Sequence, residues 1–98
     1  MKTKVEILKV MKQELPHLKE KFKVKDIGLF GSYAREEQSQ TRDIDVLVDF
    51  EVPVGFFKFI ELEDYLSNKL GVKVDLVTPD ALKPLIKTHI MQEAVYVG

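Results

Sequence analysis

A small mixed β-sheet flanked by helices, an α/β (α+β) layer, is the fold this chain predicts. Three observations carry that expectation. Apolar residues recur at helical spacing in the first quarter of the chain and again between Phe56 and Leu70. Val24 to Phe30 and the short apolar runs Ile44 to Val48 and Val72 to Val77 read as strands. Helical and extended segments alternate, which suits helices packed on a sheet. At 98 residues the chain is expected to form a single domain, 1–98, with one core and no room for a second, substrate-binding domain.

Taken in order, Leu8, Met11, Leu15, Leu18 and Phe22 form one helical stripe with lysines and glutamates between them. Pro16 interrupts it and should kink that helix or open a second one. Val24 to Phe30 is a strand leading straight into Gly31-Ser32. Tyr33 to Glu37 reads as a short helix and Gln38 to Arg42 as a polar loop. Asp43 to Phe50 is a second strand, and its apolarity, broken only by acids, predicts a central strand covered on both faces. Pro53 and Gly55 mark a turn. Phe56 to Leu70 is a helix with Phe59, Leu62, Leu66 and Leu70 on its inner stripe, ended by Gly71. Lys73 to Val77 is a third strand. Thr78-Pro79 starts a helix, with Thr78 as its cap. Pro84 makes the next stretch irregular, and Leu85 to Val97 holds a further short helix.

Composition excludes several classes. A hydrophobic content of 45% predicts a folded chain. A net charge of −1 gives no general basic field, so direct nucleic-acid binding is not expected, although lysines gather in the first 25 residues. Cysteine is absent, which excludes disulfides and thiolate metal sites. No apolar stretch reaches membrane-spanning length and no signal-peptide core is present, so a cytoplasmic protein without a membrane partner is expected.

The residues that carry chemistry are Gly31, Ser32, Asp43, Asp45 and Asp75. Two acids at i and i+2 on a strand share a face and can hold divalent metal. Alone, such a pair also reads as acids on a solvated sheet face or at a strand's start, with Arg42 as partner to one of them. Gly31 lets backbone approach a phosphate, and Ser32 offers a hydroxyl and an amide at a helix start. Alone, that turn is equally an ordinary helix cap. Asp75 shares a strand face with Lys73 and Val77, and serves as a third ligand, a general base or an edge-strand acid. Arg35 and Arg42 could neutralise triphosphate charge, and Tyr33 is expected to pack on the sheet, with stacking on a base as the alternative. His17 and His89 lack ligand spacing. There is no Walker loop, Rossmann fingerprint or nucleophile elbow.

Leu29-Phe30-Gly31-Ser32-Tyr33-Ala34-Arg35, followed by Asp43-Ile44-Asp45-Val46-Leu47-Val48, resembles the minimal nucleotidyltransferases of the DNA polymerase β-like superfamily. Leu15-Pro16, Val74-Asp75-Leu76-Val77, Ala81-Leu82-Lys83-Pro84 and Glu93-Ala94-Val95-Tyr96 extend the resemblance over nearly the whole chain. It implies a mixed sheet flanked by helices, two Mg²⁺ ions on Asp43, Asp45 and Asp75, and ATP with its phosphates at Gly31-Ser32. It also implies an antitoxin of a two-gene module whose partner is a HEPN-domain RNase toxin, with AMP passed to a tyrosine hydroxyl of that toxin. Glu36 and Arg42 depart from the glycine and serine common in this family, and bear on nucleotide preference. The alternative function is a catalytically weak module that neutralises the toxin by covering it. Adenylylation of a small molecule fits less well, because an acceptor domain is lacking. Phe56, Phe57, Phe59 and Ile60, with Ile90, Met91, Val95, Tyr96 and Val97, are the apolar residues expected to supply core or a surface for the partner or for a homo-oligomer.

Overall fold

The computed structural model describes residues 3–31, 33–35 and 43–97. Helix α1, Lys4–Phe22, is followed by β1, Val24–Phe30, and β2, Ile44–Phe50. Then come α2, Phe56–Leu70, β3, Val74–Val77, a single 3-10 turn at Pro79–Ala81, α3, Pro84–Glu93, and β4, Val95–Val97. The sheet order is β3-β2-β1-β4. β1 is antiparallel to both neighbours, and β2 and β3 are parallel, joined by α2 as a parallel pair requires. This is the mixed α+β sheet the sequence predicts, with β2 central.

α1 starts earlier than its apolar stripe. Thr3 accepts from the Glu6 amide and Glu6 reaches back to the Thr3 amide, a reciprocal cap readable in Thr-x-x-Glu. The helix runs through Pro16, so no second helix opens there. Pro16 is on the exposed side, where water can serve the carbonyl left without a donor, while Met11, Leu15, Leu18 and Phe22 stay buried. α1 and α2 cover one face of the sheet, and Ile27, Leu29, Ile44, Val46, Val48, Val74 and Leu76 meet them in the core.

Edge strand β3 would leave amides open. Ser67 Oγ accepts from Val74 N at 2.9 Å and Glu63 Oε2 accepts from Leu76 N at 2.9 Å, so α2 satisfies that edge and blocks further pairing. The Tyr65 phenol donates to Glu14, tying α2 to α1, and this bond pushes the Tyr65 pKa up to about 12.

Several expectations change. Residues 33–35 form a turn, not a helix, held by Arg35 N on Gly31 O at 3.2 Å; Glu36, Glu37 and the loop 38–42 lie outside the described residues. Thr78 precedes only the 3-10 turn and makes no side-chain cap. Pro84 does not disrupt α3 but begins it, where a missing amide costs nothing. The short helix expected within 85–97 is α3, and Val95–Val97 beyond it is a strand, because its β-branched and aromatic residues find β1 as partner.

Tyr33 packs as expected, with 0% exposure, yet its hydroxyl finds no hydrogen-bond partner among the described residues. A buried polar group left so costs about 1–3 kcal/mol. Tyr33→Phe is therefore expected to raise unfolding free energy by about 1 kcal/mol in urea titration. A comparable loss would mean that the hydroxyl is bonded.

Candidate active site

Alternation along β2 sends Ile44, Val46 and Val48 to the helices and leaves Asp45 on the opposite face. β3 repeats this, with Val74 and Leu76 inward and Asp75 exposed. The parallel register pairs Asp45 directly with Asp75. Neighbouring strands run about 4.8 Å apart, so two carboxylates face the same side at close quarters. Asp43 stands just before β2 and adds a third negative charge.

Asp45 records the cost. Burial first, then the charges of Asp75 and Asp43, hold its carboxyl above the ordinary aspartate range, and the Arg35 guanidinium offsets part of the rise. Such a group lacks positive charge. The donor set is all carboxylate oxygen, which suits a hard divalent cation. Among the described residues, no three His, Cys, Asp or Glu side chains close into a ready ligand cluster. Mg²⁺ does not need one, since it is commonly held by one or two carboxylates plus substrate phosphates and water. Asp43, Asp45 and Asp75 fit that kind of binding.

Asp45 is also why position 31 is glycine. Antiparallel pairing sets Phe30 against Asp45, so the turn after β1 crosses directly over that carboxylate. A Cβ on Gly31 would stand 2.2 Å from Asp45 Oδ2 and 3.0 Å from its Cγ, and Gly31 has φ +75. The glycine is needed for Asp45 itself, a reason the sequence does not disclose.

The turn is anchored on several sides. Lys4 Nζ donates to Ala34 O at 2.9 Å, bringing an α1 lysine to it. Glu93, the last residue of α3, accepts from Gly31 N at 3.0 Å and from Arg35 Nη1 at 2.8 Å through the same oxygen. His89 Nε2 lies 3.3 Å from the other carboxylate oxygen. The structure brings Gly31, Arg35, Asp43, Asp45 and Asp75 near one another. Ser32 and Arg42, assigned to phosphate binding from sequence, lie outside the described residues. Lys4, His89 and Glu93 carried no role in the sequence reading. Glu93 shows only once β4 is paired with β1.

A glycine turn set over paired strand acids suits one class of protein, the nucleotidyltransferases. Residues 11–97 match the family model described as nucleotidyltransferase domain. A Methanocaldococcus jannaschii protein, named provisionally as a protein adenylyltransferase, is 49% identical over 98 residues, covering 99% of this chain and 100% of that protein. The protein adenylyltransferase MntA of Thermococcus cleftensis is 45% identical over 97 residues, covering 99% of this chain and 98% of its own. A solved structure named provisionally as a minimal nucleotidyltransferase superposes with TM-score 0.78 at 30% identity, covering 93% of each chain. A toxin–antitoxin structure with AMP-PNP superposes with TM-score 0.67 at 25% identity, covering 95% of this chain and 70% of that one. The chain belongs to the nucleotidyltransferase domain family. It is an enzyme of that class, similar over nearly its whole length to protein adenylyltransferases.

Proposed function

We propose that this chain, acting as the single domain 1–98, transfers AMP from ATP to a tyrosine hydroxyl of a HEPN-type RNase toxin and thereby serves as its antitoxin in the cytoplasm. The observation that carries the reading is Asp45, paired in register with Asp75 and lying directly beneath the Gly31 turn. Relatives named as protein adenylyltransferases, and the neighbour solved as a toxin–antitoxin structure with AMP-PNP, support the same substrate and setting.

In this reading the phosphates of ATP lie along the Gly31-Ser32 turn, with Arg35, Lys4 and Arg42 supplying positive charge. The acceptor oxygen attacks the α-phosphorus, the bond from that phosphorus to the bridging α,β-oxygen breaks, and pyrophosphate leaves. Asp75, on the edge strand and exposed, takes the acceptor proton. Asp43, Asp45 and Asp75 would hold two Mg²⁺ ions, which supply charge neutralisation at the phosphoryl oxygens.

The acceptor comes from another chain, and the surface offers a place for it. Phe56 and Phe57 are 72% and 87% exposed at the start of α2, with ring centroids 5.9 Å apart. Phe56 lines a groove of about 490 Å³ together with Val52, Pro53, Phe59, Asp49 and Asp80. Phe59 and Ile60 are half-buried, and Val95 and Val97 pack against the core. Met91 and Tyr96 stay exposed, and Leu85 and Ile86 of α3 join them, so the outward apolar surface draws on other residues than the sequence alone suggests. Replacing Phe56 and Phe57 together by Ser is expected to leave the melting temperature nearly unchanged and to reduce co-purification of the toxin at least tenfold, about 1.4 kcal/mol. Undiminished co-purification would move the interface elsewhere.

Co-expression with the product of an adjacent gene tests the function. The toxin should gain the mass of AMP on a tyrosine and lose toxicity. Asp43→Asn should abolish the label and restore toxicity. Neutralisation that survives without label would instead identify occlusion as the mechanism.

A further inference from the structure

The β1–β4 ladder pairs Ile27 with Val97, Gly28 with Tyr96 and Leu29 with Val95. Continued by two residues, it sets Glu93 opposite Gly31. The backbone has already left the ladder there, because Glu93 ends α3 and Ala94 N bonds back to Ile90 O at 2.8 Å. The Glu93 side chain reaches the turn instead. Its Oε1 accepts from Gly31 N at 3.0 Å and from Arg35 Nη1 at 2.8 Å. One oxygen thus joins a backbone amide of the turn to the guanidinium two hydrogen bonds away. Glu93 is only 16% exposed at its side chain, against 46% for Arg35, so the carboxylate is the fixed member and the arginine the tethered one. His89 Nε2, 3.3 Å from Oε2 and 75% exposed, lies on its outer side.

We propose that Glu93 is a positioning residue for nucleotide binding: its bridging oxygen fixes the Gly31 turn and the Arg35 guanidinium in the arrangement that receives the triphosphate. This rests on the proposed use of ATP at that turn. Gly31 is squeezed against Asp45 and has no side chain with which to anchor itself. An acceptor from α3 ties the Gly31 amide itself, beside the Lys4 bond to Ala34 O and the Arg35 amide bond to Gly31 O. A guanidinium held in one orientation loses less freedom when a phosphate arrives than a free one does. Because the phosphates so held lie beyond the reacting α-phosphorus, the effect falls on ATP affinity more than on turnover.

Mg·ATP titration of wild type, Glu93→Gln and Glu93→Ala tests this, with NMR of the Gly31 amide and the Arg35 guanidinium in the nucleotide-free proteins. Alanine removes the acceptor and should weaken ATP binding roughly tenfold to a hundredfold, with the Arg35 signals averaging to those of a free side chain. Glutamine keeps an acceptor oxygen and should rescue affinity to within about threefold of wild type, with both NMR signatures retained. Should the alanine variant not fold, Glu93→Asp, whose shorter carboxylate is expected not to bridge Gly31 N and Arg35 Nη1, replaces it and should show the same loss of affinity. Tighter ATP binding in either variant would overturn the proposal, because Glu93 would then be a carboxylate that phosphate displaces. Equal affinity in alanine variant and wild type would overturn it as well, leaving Glu93 a structural tie. If wild type itself takes no ATP, the reading of the site falls, and the NMR comparison separately decides whether Glu93 holds the turn.

Discussion

Asp43→Asn and Asp45→Asn are each expected to reduce AMP transfer roughly a thousandfold or more, a loss of about 4 kcal/mol of transition-state stabilisation. Neither change should unfold the protein. Asparagine keeps the shape of aspartate and removes the charge on which a divalent ion depends. Stability should move the other way at Asp45. Its carboxyl titrates above the ordinary range because burial and the charges of Asp75 and Asp43 disfavour the anion. The folded state therefore binds that proton more readily than the unfolded chain, and stability falls as pH rises from the ordinary aspartate range through the raised value. At neutral pH, with divalent ions chelated, Asp45→Asn should melt at or above the wild-type temperature. Its advantage should shrink as the pH is lowered through the raised value and vanish below the ordinary range. Added Mg²⁺ should stabilise wild type and leave the variant behind. Wild-type transfer by both asparagine variants would refute the carboxylate–metal site. A variant that melts lower at neutral pH without divalent ions would mean that Asp45 already has a stabilising partner.

Much of this architecture is legible in the residues because simple periodicities govern it. Phe56 to Leu70 repeats Leu62, Leu66 and Leu70 at helical spacing and ends at Gly71, whose φ of +70 is the left-handed cap the sequence suggests. β1 shows as a strand whose apolar end, Ile27 to Phe30, runs into Gly31, and β2 as an apolar run entered through Asp43. The failures share a cause. Val95–Val97 is too short to declare itself and becomes a strand only because β1 has a free edge. Pro84 marks a helix start or a break equally well, and only the chain beyond it decides. Pro16 does not end α1 because tertiary burial of Leu15 and Leu18 outweighs the loss of one exposed hydrogen bond.

The site divides along the same line. Spacing places Asp43 and Asp45 together, since strand alternation is local. That Asp75 lies beside Asp45 depends on parallel register, and that Glu93 reaches Gly31 depends on the antiparallel ladder at the other edge. These are long-range facts, absent from any single segment. The resemblance to nucleotidyltransferases supplies Asp75 in advance, but it quotes Glu93 only within a familiar ending and gives it no work.

Gly31→Ala is expected to be the most damaging small substitution in the described structure. The left-handed backbone at φ +75 costs an alanine about 1–2 kcal/mol by itself. The added Cβ would also meet Asp45 Oδ2 at 2.2 Å, its Cγ at 3.0 Å and its Cβ at 3.2 Å. Rotating the carboxylate relieves the closest contact but takes it off the face it shares with Asp75. Nucleotide binding should fail with it. Mg·ATP at 100 times its dissociation constant stabilises a one-site protein by about 2.7 kcal/mol, and that gain should disappear in the variant. A double-mutant cycle separates backbone strain from the clash. In an Asp45→Ala background the carboxylate is gone, so Gly31→Ala should cost only the backbone part, and the two changes should couple by roughly 0.5–3 kcal/mol. Additive effects in urea unfolding would show that the turn does not press on Asp45. Strong coupling would establish that the glycine serves the acid, and that the phosphate turn and the carboxylate site are one structure.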